Sequence, residues 1–367
     1  MDTVQRPIRV LVVDDLAIGR EILFHILNRD PQFEVVGFAR DGKEAVEMLA
    51  RARPDVITMD IHMPRMNGFE ATRKIMETHP TPIVLVTAST DPADVEVSFR
   101  AMQAGALAVV ARPGRLNHPD FDRQARELLQ TLKTMSEVRL VRRRPALSAS
   151  ADSGESRASR DVVFPEPSPR KIRIVAIGAS TGGPGALHTL LSALPEDFPV
   201  PVVVVQHITR GFVEGLVHWL DQSSPLRVVL GAQGVSIQPG YCYIAPDGLH
   251  MKVDSGGVLR LSAEPPEHGL RPAVSVLFRS VAMAYGPHAV GVLLTGMGKD
   301  GAEELKLMRD KGAITIAQDE GSCVVFGMPR EAIRLGGARY VLPLSSIAFK
   351  LSTLVNSDDR QRIRSDR

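Results

Sequence analysis

The chain alternates between short unbroken apolar runs and longer segments in which apolar residues return every three to four positions. Near the N-terminus the runs are Arg9–Val13, Val35–Phe38, Val56–Met59, Ile83–Val86 and Ala106–Val110. Between them, Gly19–Leu27 and Lys43–Ala50 carry helical spacing. Continuous Val/Ile runs separated by helices predict parallel strands covered on both faces. The pattern starts again with Ile172–Ile177, Pro201–Val205, Ala289–Leu294 and Ala313–Ala317. The stretch Val228–Leu261 is broken by Pro239-Gly240 and Ser255-Gly256-Gly257, and predicts a hairpin or an antiparallel edge. The expected fold class is α/β, with two doubly wound parallel-sheet domains, the second the larger.

Periodicity lapses between about Ser148 and Pro169, where Ser, Arg, Pro and acidic residues dominate. Such a segment cannot bury enough surface to offset its conformational entropy. The expected division is a first domain over 6–130, a flexible linker over 131–170, a second domain over 171–356 and a charged tail over 357–367. Leu128, Leu129, Leu132 and Met135 form a helical stripe that closes the first domain and runs on into the linker. Arg142-Arg143-Arg144 reads as a solvated helix end or linker in preference to a docking patch.

With 44% hydrophobic and 23% charged residues, the composition is that of a soluble globular protein. A net charge of +2 gives no reason to expect nucleic-acid or membrane-surface binding. Residues Met1–Ile8 lack the apolar stretch of a signal peptide, and no run is long enough to span or insert into a membrane. The two cysteines, Cys242 and Cys323, form no disulfide framework and fit a reducing cytoplasmic location.

In an open parallel sheet, ligands bind beyond the carboxyl ends of the strands. In the first domain those ends carry Asp14-Asp15, Asp60, Thr87 and Arg112. Clustered carboxylates repel unless a cation neutralises them, and hard oxygen ligands suit Mg²⁺. Any one of these acids alone would read as a helix cap; three of them with a hydroxyl and a cation, each at a strand end, read as a site. The stretches Val-Asp14-Asp15, Asp60-Ile-His-Met-Pro-Arg-Met-Asn-Gly68 and Val86-Thr87-Ala88 resemble the response-regulator receiver domain over about Arg9–Phe121. The resemblance implies a flavodoxin-like fold. It implies that Asp60 accepts phosphate from a histidine kinase, that Asp14, Asp15, Asp60 and the backbone carbonyl of His62 bind Mg²⁺, and that Thr87 contacts the phosphoryl group. Arg112 stands where the family carries Lys before the proline, and Val109 replaces its switch aromatic, so the strength of the switch is expected to differ.

The second domain opens with a strand followed by Gly178-Ala179-Ser180-Thr181-Gly182-Gly183, a G-x-S-x-G in the strand–turn–helix setting of a nucleophile elbow. A serine hydroxyl needs a base, and the next strand ends in Gln206-His207. A third run ends in Thr295-Gly296-Met297-Gly298-Lys299-Asp300-Gly301. Asp300 there would orient the imidazole, and the glycines around Met297 leave backbone N–H groups for an oxyanion. Separately, Ser180 would be a helix N-cap, His207 a core histidine and Asp300 a cap for Glu303–Met308. A dinucleotide-binding turn is the rival reading of the glycines, but it wants an acid where Gln206-His207 stands. The order Ser, His, Asp also departs from that of α/β-hydrolases.

The stretches Ile177-Gly-Ala-Ser-Thr-Gly-Gly183, Val204-Val-Gln-His207, Tyr243-Ile-Ala-Pro246, Arg271-Pro272, Leu294–Gly301 and Ala317–Ala332 resemble the bacterial chemotaxis-type protein-glutamate methylesterase. They span a Rossmann-like α/β domain over about Lys171–Val355. The resemblance implies a carboxylic ester hydrolase that also deamidates glutamines, acting on methyl-accepting chemoreceptors with no cofactor in the catalytic domain. It implies Ser180, His207 and Asp300 as the triad, an oxyanion contact from the Met297 N–H and assistance from Thr181. It further implies that the unphosphorylated receiver covers the catalytic edge. The family usually has Asp at Ser275 and Glu near Gly231; both departures are expected to tune the surface or the fit to a partner. The alternative is a phosphorylation-dependent adaptor or phosphate sink without catalytic output. A DNA-binding output has no helix-turn-helix to support it.

Overall fold

The computed structural model describes residues 6–87, 92–114, 121–138 and 171–356. The first domain runs β1 (Ile8–Val13), α1 (Ala17–Asn28), β2 (Phe33–Ala39), α2 (Gly42–Ala52), β3 (Val56–Met59), α3 (Gly68–Thr78), β4 (Ile83–Thr87), α4 (Pro92–Gln103), β5 (Ala108–Ala111) and α5 (Phe121–Ser136). Its five strands pair in parallel in the order β2-β1-β3-β4-β5. The β3 and β4 side chains are buried along their whole length, as expected of a sheet covered on both faces. Helix starts are set locally: Asp41 accepts the Glu44 N–H at the head of α2, and Asn67 with Glu70 forms a capping box on α3.

The second domain runs β6 (Ile174–Ala179), α6 (Gly183–Leu191), β7 (Val202–Gln206), α7 (Val213–Ser223), β8 (Arg227–Leu230), β9 (Tyr241–Ile244), β10 (His250–Val253), β11 (Leu259–Ser262), α8 (Val274–Tyr285), β12 (Ala289–Leu293), α9 (Ala302–Asp310), β13 (Ile314–Gln318), α10 (Met328–Arg334), β14 (Tyr340–Leu342) and α11 (Leu344–Val355). Seven strands form the sheet β14-β13-β12-β6-β7-β9-β8. All its pairings are parallel. The turn-rich stretch divides: β10 and β11 make the expected antiparallel hairpin, apart from the main sheet. In contrast to the expected antiparallel edge, β8 and β9 join the main sheet in parallel. Leu226, Val228, Cys242 and Ile244 bury against the sheet core, and that burial overrides the turn residues between the strands.

Helix α5 continues past the expected boundary at 130, because Leu132 and Met135 stay in the first domain's core beside Leu128. The arginine run, most of the linker and the charged tail lie outside the described residues. No helix among the described residues is long and apolar enough to cross a membrane.

The domains share an apolar seam. Phe99 of α4 is fully buried and belongs to the same cluster as the second domain's Leu187, Leu216 and Trp219. Its ring stacks on Trp219 of α7 with centroids 5.2 Å apart, and His188 of α6 stacks on Trp219 at 4.9 Å. Gln103 Nε2 also lies 2.9 Å from His188 Nε2.

Candidate active site

At the carboxyl edge of the first domain's sheet, Asp14 and Asp15 follow β1 and Asp60 follows β3, and carboxylate oxygens of the three lie within 4.8 Å of one another. Asp14 and Asp60 are buried. Arg112 Nη2 bridges them, 2.8 Å from Asp14 Oδ2 and 2.7 Å from Asp60 Oδ2. Burial pushes the Asp14 carboxyl up to about 6, against the pull of Arg112 and with the help of the Asp60 charge. Burial likewise raises Asp60, against Arg112 and the Ile61 N–H. Thr87 is buried at the end of β4, and its carbonyl accepts the Arg112 N–H at 2.7 Å. His62 sits two positions beyond Asp60 on the exposed loop. Three hard oxygen donors around buried, mutually repelling carboxylates fit a divalent cation such as Mg²⁺. Val109 is half-buried and packs against the cluster that holds Phe99.

In the second domain, Ser180 follows β6 directly and α6 begins at Gly183, the strand–turn–helix geometry of an elbow. Two glycines permit it. Gly182 has φ +76°, and a Cβ there would lie 2.5 Å from Val324 Cβ. A Cβ on Gly296 would lie 2.7 Å from the Ser180 Cβ. The β6/β7 register pairs Ala179 with Gln206, so Ser180 and His207 emerge side by side. The Ser180 N–H donates to the Thr295 carbonyl at 3.0 Å, which ties the serine to the segment carrying Met297 and Asp300.

His207 Nε2 lies 2.9 Å from Asp300 Oδ2, with both side chains almost fully buried. This leaves Nδ1 as the nitrogen able to serve the serine. Asp300 also accepts the Val274 N–H at 2.6 Å and the Ser275 N–H at 3.0 Å. Burial works against the Asp300 charge, but His207 and the Ser275 donors outweigh it and hold the carboxyl below its ordinary range. Asp300 therefore caps a helix, but α8 and not the expected Glu303–Met308 helix. The structure brings His207 and Asp300 together and sets Ser180 beside them; no Ser180–His207 hydrogen bond forms among the described residues. Bonds of this kind tighten when substrate binds. The Met297 N–H has no partner among the described residues, while the Thr181 carbonyl accepts the Thr295 hydroxyl at 3.0 Å.

Two expectations are corrected here. Ser275 and Gly231 do not tune the surface. Ser275 is fully buried against Asp300. Gly231 is buried, and a Cβ there would lie 2.6 Å from Met251 Sδ. The site also holds residues not singled out from the sequence. Gln206 Nε2 donates to the carbonyls of Ser180 at 2.8 Å and His207 at 2.6 Å, joining the two strand ends. Gln318 Oε1 accepts the Thr295 N–H at 2.8 Å. Their signal was a glutamine closing an otherwise apolar buried strand, where an amide needs a fixed partner.

Helix α5 of the receiver lies across this edge. Glu127 Oε1 accepts from the Thr209 hydroxyl at 2.7 Å, two residues beyond His207. The Thr134 hydroxyl contacts Met297 Sδ at 2.9 Å. Val324 and Val325, beside the elbow, pack on the cluster that includes Leu128 and Leu132. The helix thus touches loops on both sides of Ser180.

A carboxylate-lined edge joined by one helix to an edge carrying serine, histidine and aspartate is the arrangement of a receiver-linked hydrolase. Comparison with known proteins agrees. Residues 175–351 match the family described as CheB methylesterase, and residues 10–118 match the response regulator receiver domain. A protein-glutamate methylesterase/protein-glutamine glutaminase of Nitrosospira multiformis is 53% identical over 348 residues, covering 95% of this chain and 97% of that protein. A protein of the same description from Syntrophus aciditrophicus is 49% identical over 357 residues, covering 95% and 99%. The crystal structure of the Thermotoga maritima CheB methylesterase catalytic domain is 41% identical and covers 51% of this chain and 100% of that one, with a TM-score of 0.49. The chain belongs to the protein-glutamate methylesterase/protein-glutamine glutaminase family.

Proposed function

We propose that this chain hydrolyses glutamate methyl esters, and deamidates glutamines, on methyl-accepting chemoreceptors in the cytoplasm, under the control of its phosphorylated receiver. The observation that carries the reading is the buried His207–Asp300 pair at 2.9 Å, placed at the strand end next to Ser180 on its elbow. Ser180 Oγ attacks the ester carbonyl while His207 takes its proton. Asp300 holds the ring and stabilises the imidazolium. The oxyanion forms against the Met297 N–H, and Thr181 assists beside the nucleophile. His207 returns the proton to the departing methoxide, and methanol leaves. Water, deprotonated by His207, then attacks the acyl-enzyme and releases a glutamate. A glutamine side chain follows the same course with ammonia as leaving group.

Asp60 is the phosphoryl acceptor and a histidine kinase the donor. Asp14, Asp15 and Asp60, with the His62 carbonyl, would hold Mg²⁺, which when bound neutralises the carboxylates and the incoming phosphoryl charge. Thr87 and Arg112 contact the phosphoryl oxygens. Arg112 already holds Asp60, so phosphorylation must rearrange that ion pair at the root of the connection to α5. The test is methanol release from methylated receptor membranes with and without a small-molecule phosphodonor. Stimulation is expected, and it disappears in Asp60→Ala. In Arg112→Lys the degree of stimulation shifts, because a point-like ammonium replaces the planar bridge; an unchanged ratio contradicts that role for Arg112.

A spectroscopic prediction follows from the seam. Trp219 is the chain's one tryptophan, and it sits between Phe99 and His188. Stacks of this kind contribute about 0.5–1.5 kcal/mol beyond buried area. Phosphodonor with Mg²⁺ is expected to change Trp219 emission as the receiver moves. Phe99→Ala is expected to raise the unstimulated esterase rate severalfold, since the coupling is bounded by the stability of the docked arrangement. Emission that stays constant while activity rises would mean that activation leaves the seam closed.

A further inference from the structure

The cap position before α8 is held by Ala273, whose side chain has no oxygen, and that before α9 by Gly301, which has no side chain. Each helix takes its missing partner from the other. Asp300, just before α9, accepts the first free N–H groups of α8 from Val274 and Ser275. Ser275, in the first turn of α8, accepts the Gly301 N–H on its hydroxyl oxygen at 3.0 Å. Ser275 is fully buried, so no water takes the place of that hydroxyl.

We infer that Ser275 is a positioning residue for the esterase reaction, locking the Asp300 carboxylate in the orientation that meets His207. The inference rests on the proposed triad. Asp300 has two oxygens and one useful direction. Oδ2 is shared between the Val274 N–H and His207, and Oδ1 is held by the Ser275 N–H. Without the Ser275 hydroxyl, the Gly301 N–H, one residue after Asp300, is left buried and unpaired, and the turn that carries Asp300 loses its tie to α8. The carboxylate can then turn toward Gly301 and away from the imidazole. The loss falls on proton transfer, not on ester binding, because Ser275 is fully buried and bonded to Asp300 and Gly301.

The test is a double-mutant cycle on steady-state methanol release. Ser275→Ala is expected to lower kcat roughly 10- to 100-fold with KM unchanged, the range set by one buried N–H left without a partner. Ser275→Thr keeps the hydroxyl and recovers part of that loss. In an Asp300→Ala background, Ser275→Ala is expected to cost nothing further. A wild-type kcat in Ser275→Ala overturns the inference. So does an equal loss with and without Asp300, which is the behaviour of a residue that only supports the fold. If Asp300→Ala alone leaves kcat intact, the triad reading falls and takes this inference with it, a result distinct from the other two.

Discussion

Ser180→Ala is expected to abolish methanol release from methylated receptor membranes, with a fall on the order of 10⁴-fold or more. The Ser180 hydroxyl is the proposed nucleophile, and alanine leaves the elbow intact. The Ser180 N–H still reaches the Thr295 carbonyl, and Gln206 still holds the Ser180 carbonyl. Folding and receptor binding should therefore be unchanged, and the loss should appear in kcat alone. A mass increase on the wild-type chain trapped during turnover, absent in the variant, would locate the intermediate on this side chain. Residual activity within about tenfold of wild type would remove Ser180 from the mechanism.

Asp300→Asn is expected to cost a similar amount, about 10⁴-fold in kcat. Both carboxylate oxygens accept hydrogen bonds, Oδ1 from Ser275 and Oδ2 from Val274 and His207. An asparagine must turn an amide NH₂ toward one set of donors. Turned toward His207, it forces the ring into the wrong tautomer; turned toward Ser275, it opposes a buried backbone N–H. Single-turnover methanol release would show the defect with receptor affinity retained. A variant as fast as wild type would mean that His207 acts without an orienting partner.

Much of this was legible from residue order alone. Unbroken Val/Ile runs marked buried parallel strands, and chemistry at their carboxyl ends marked both edges: Asp14, Asp15, Asp60 and Arg112 in one domain, Ser180, His207 and Asp300 in the other. The parts that were not legible depend on distant pairings. The partnership of Ser275 with Asp300 joins the starts of two helices that no local spacing relates, and a serine at a helix start reads as an ordinary cap. The parallel addition of β8 and β9 was hidden because turn residues between short runs suggest a hairpin, while β9 in fact lies between β7 and β8 and pairs in parallel with both. The three-residue β14 is too short for periodicity to register. The seam of Phe99 on Trp219 is likewise invisible, since each residue alone is an ordinary core aromatic.

Coupling of a phosphoaspartate at Asp60 to ester hydrolysis at Ser180 is read out by methanol release from methylated chemoreceptor membranes, followed in the same preparation before and after addition of a phosphodonor with Mg²⁺. The expected result is a slow basal rate that rises on addition, no rise in Asp60→Ala and no release in Ser180→Ala. Release that proceeds undiminished in Ser180→Ala, or a rise that persists in Asp60→Ala, would contradict it.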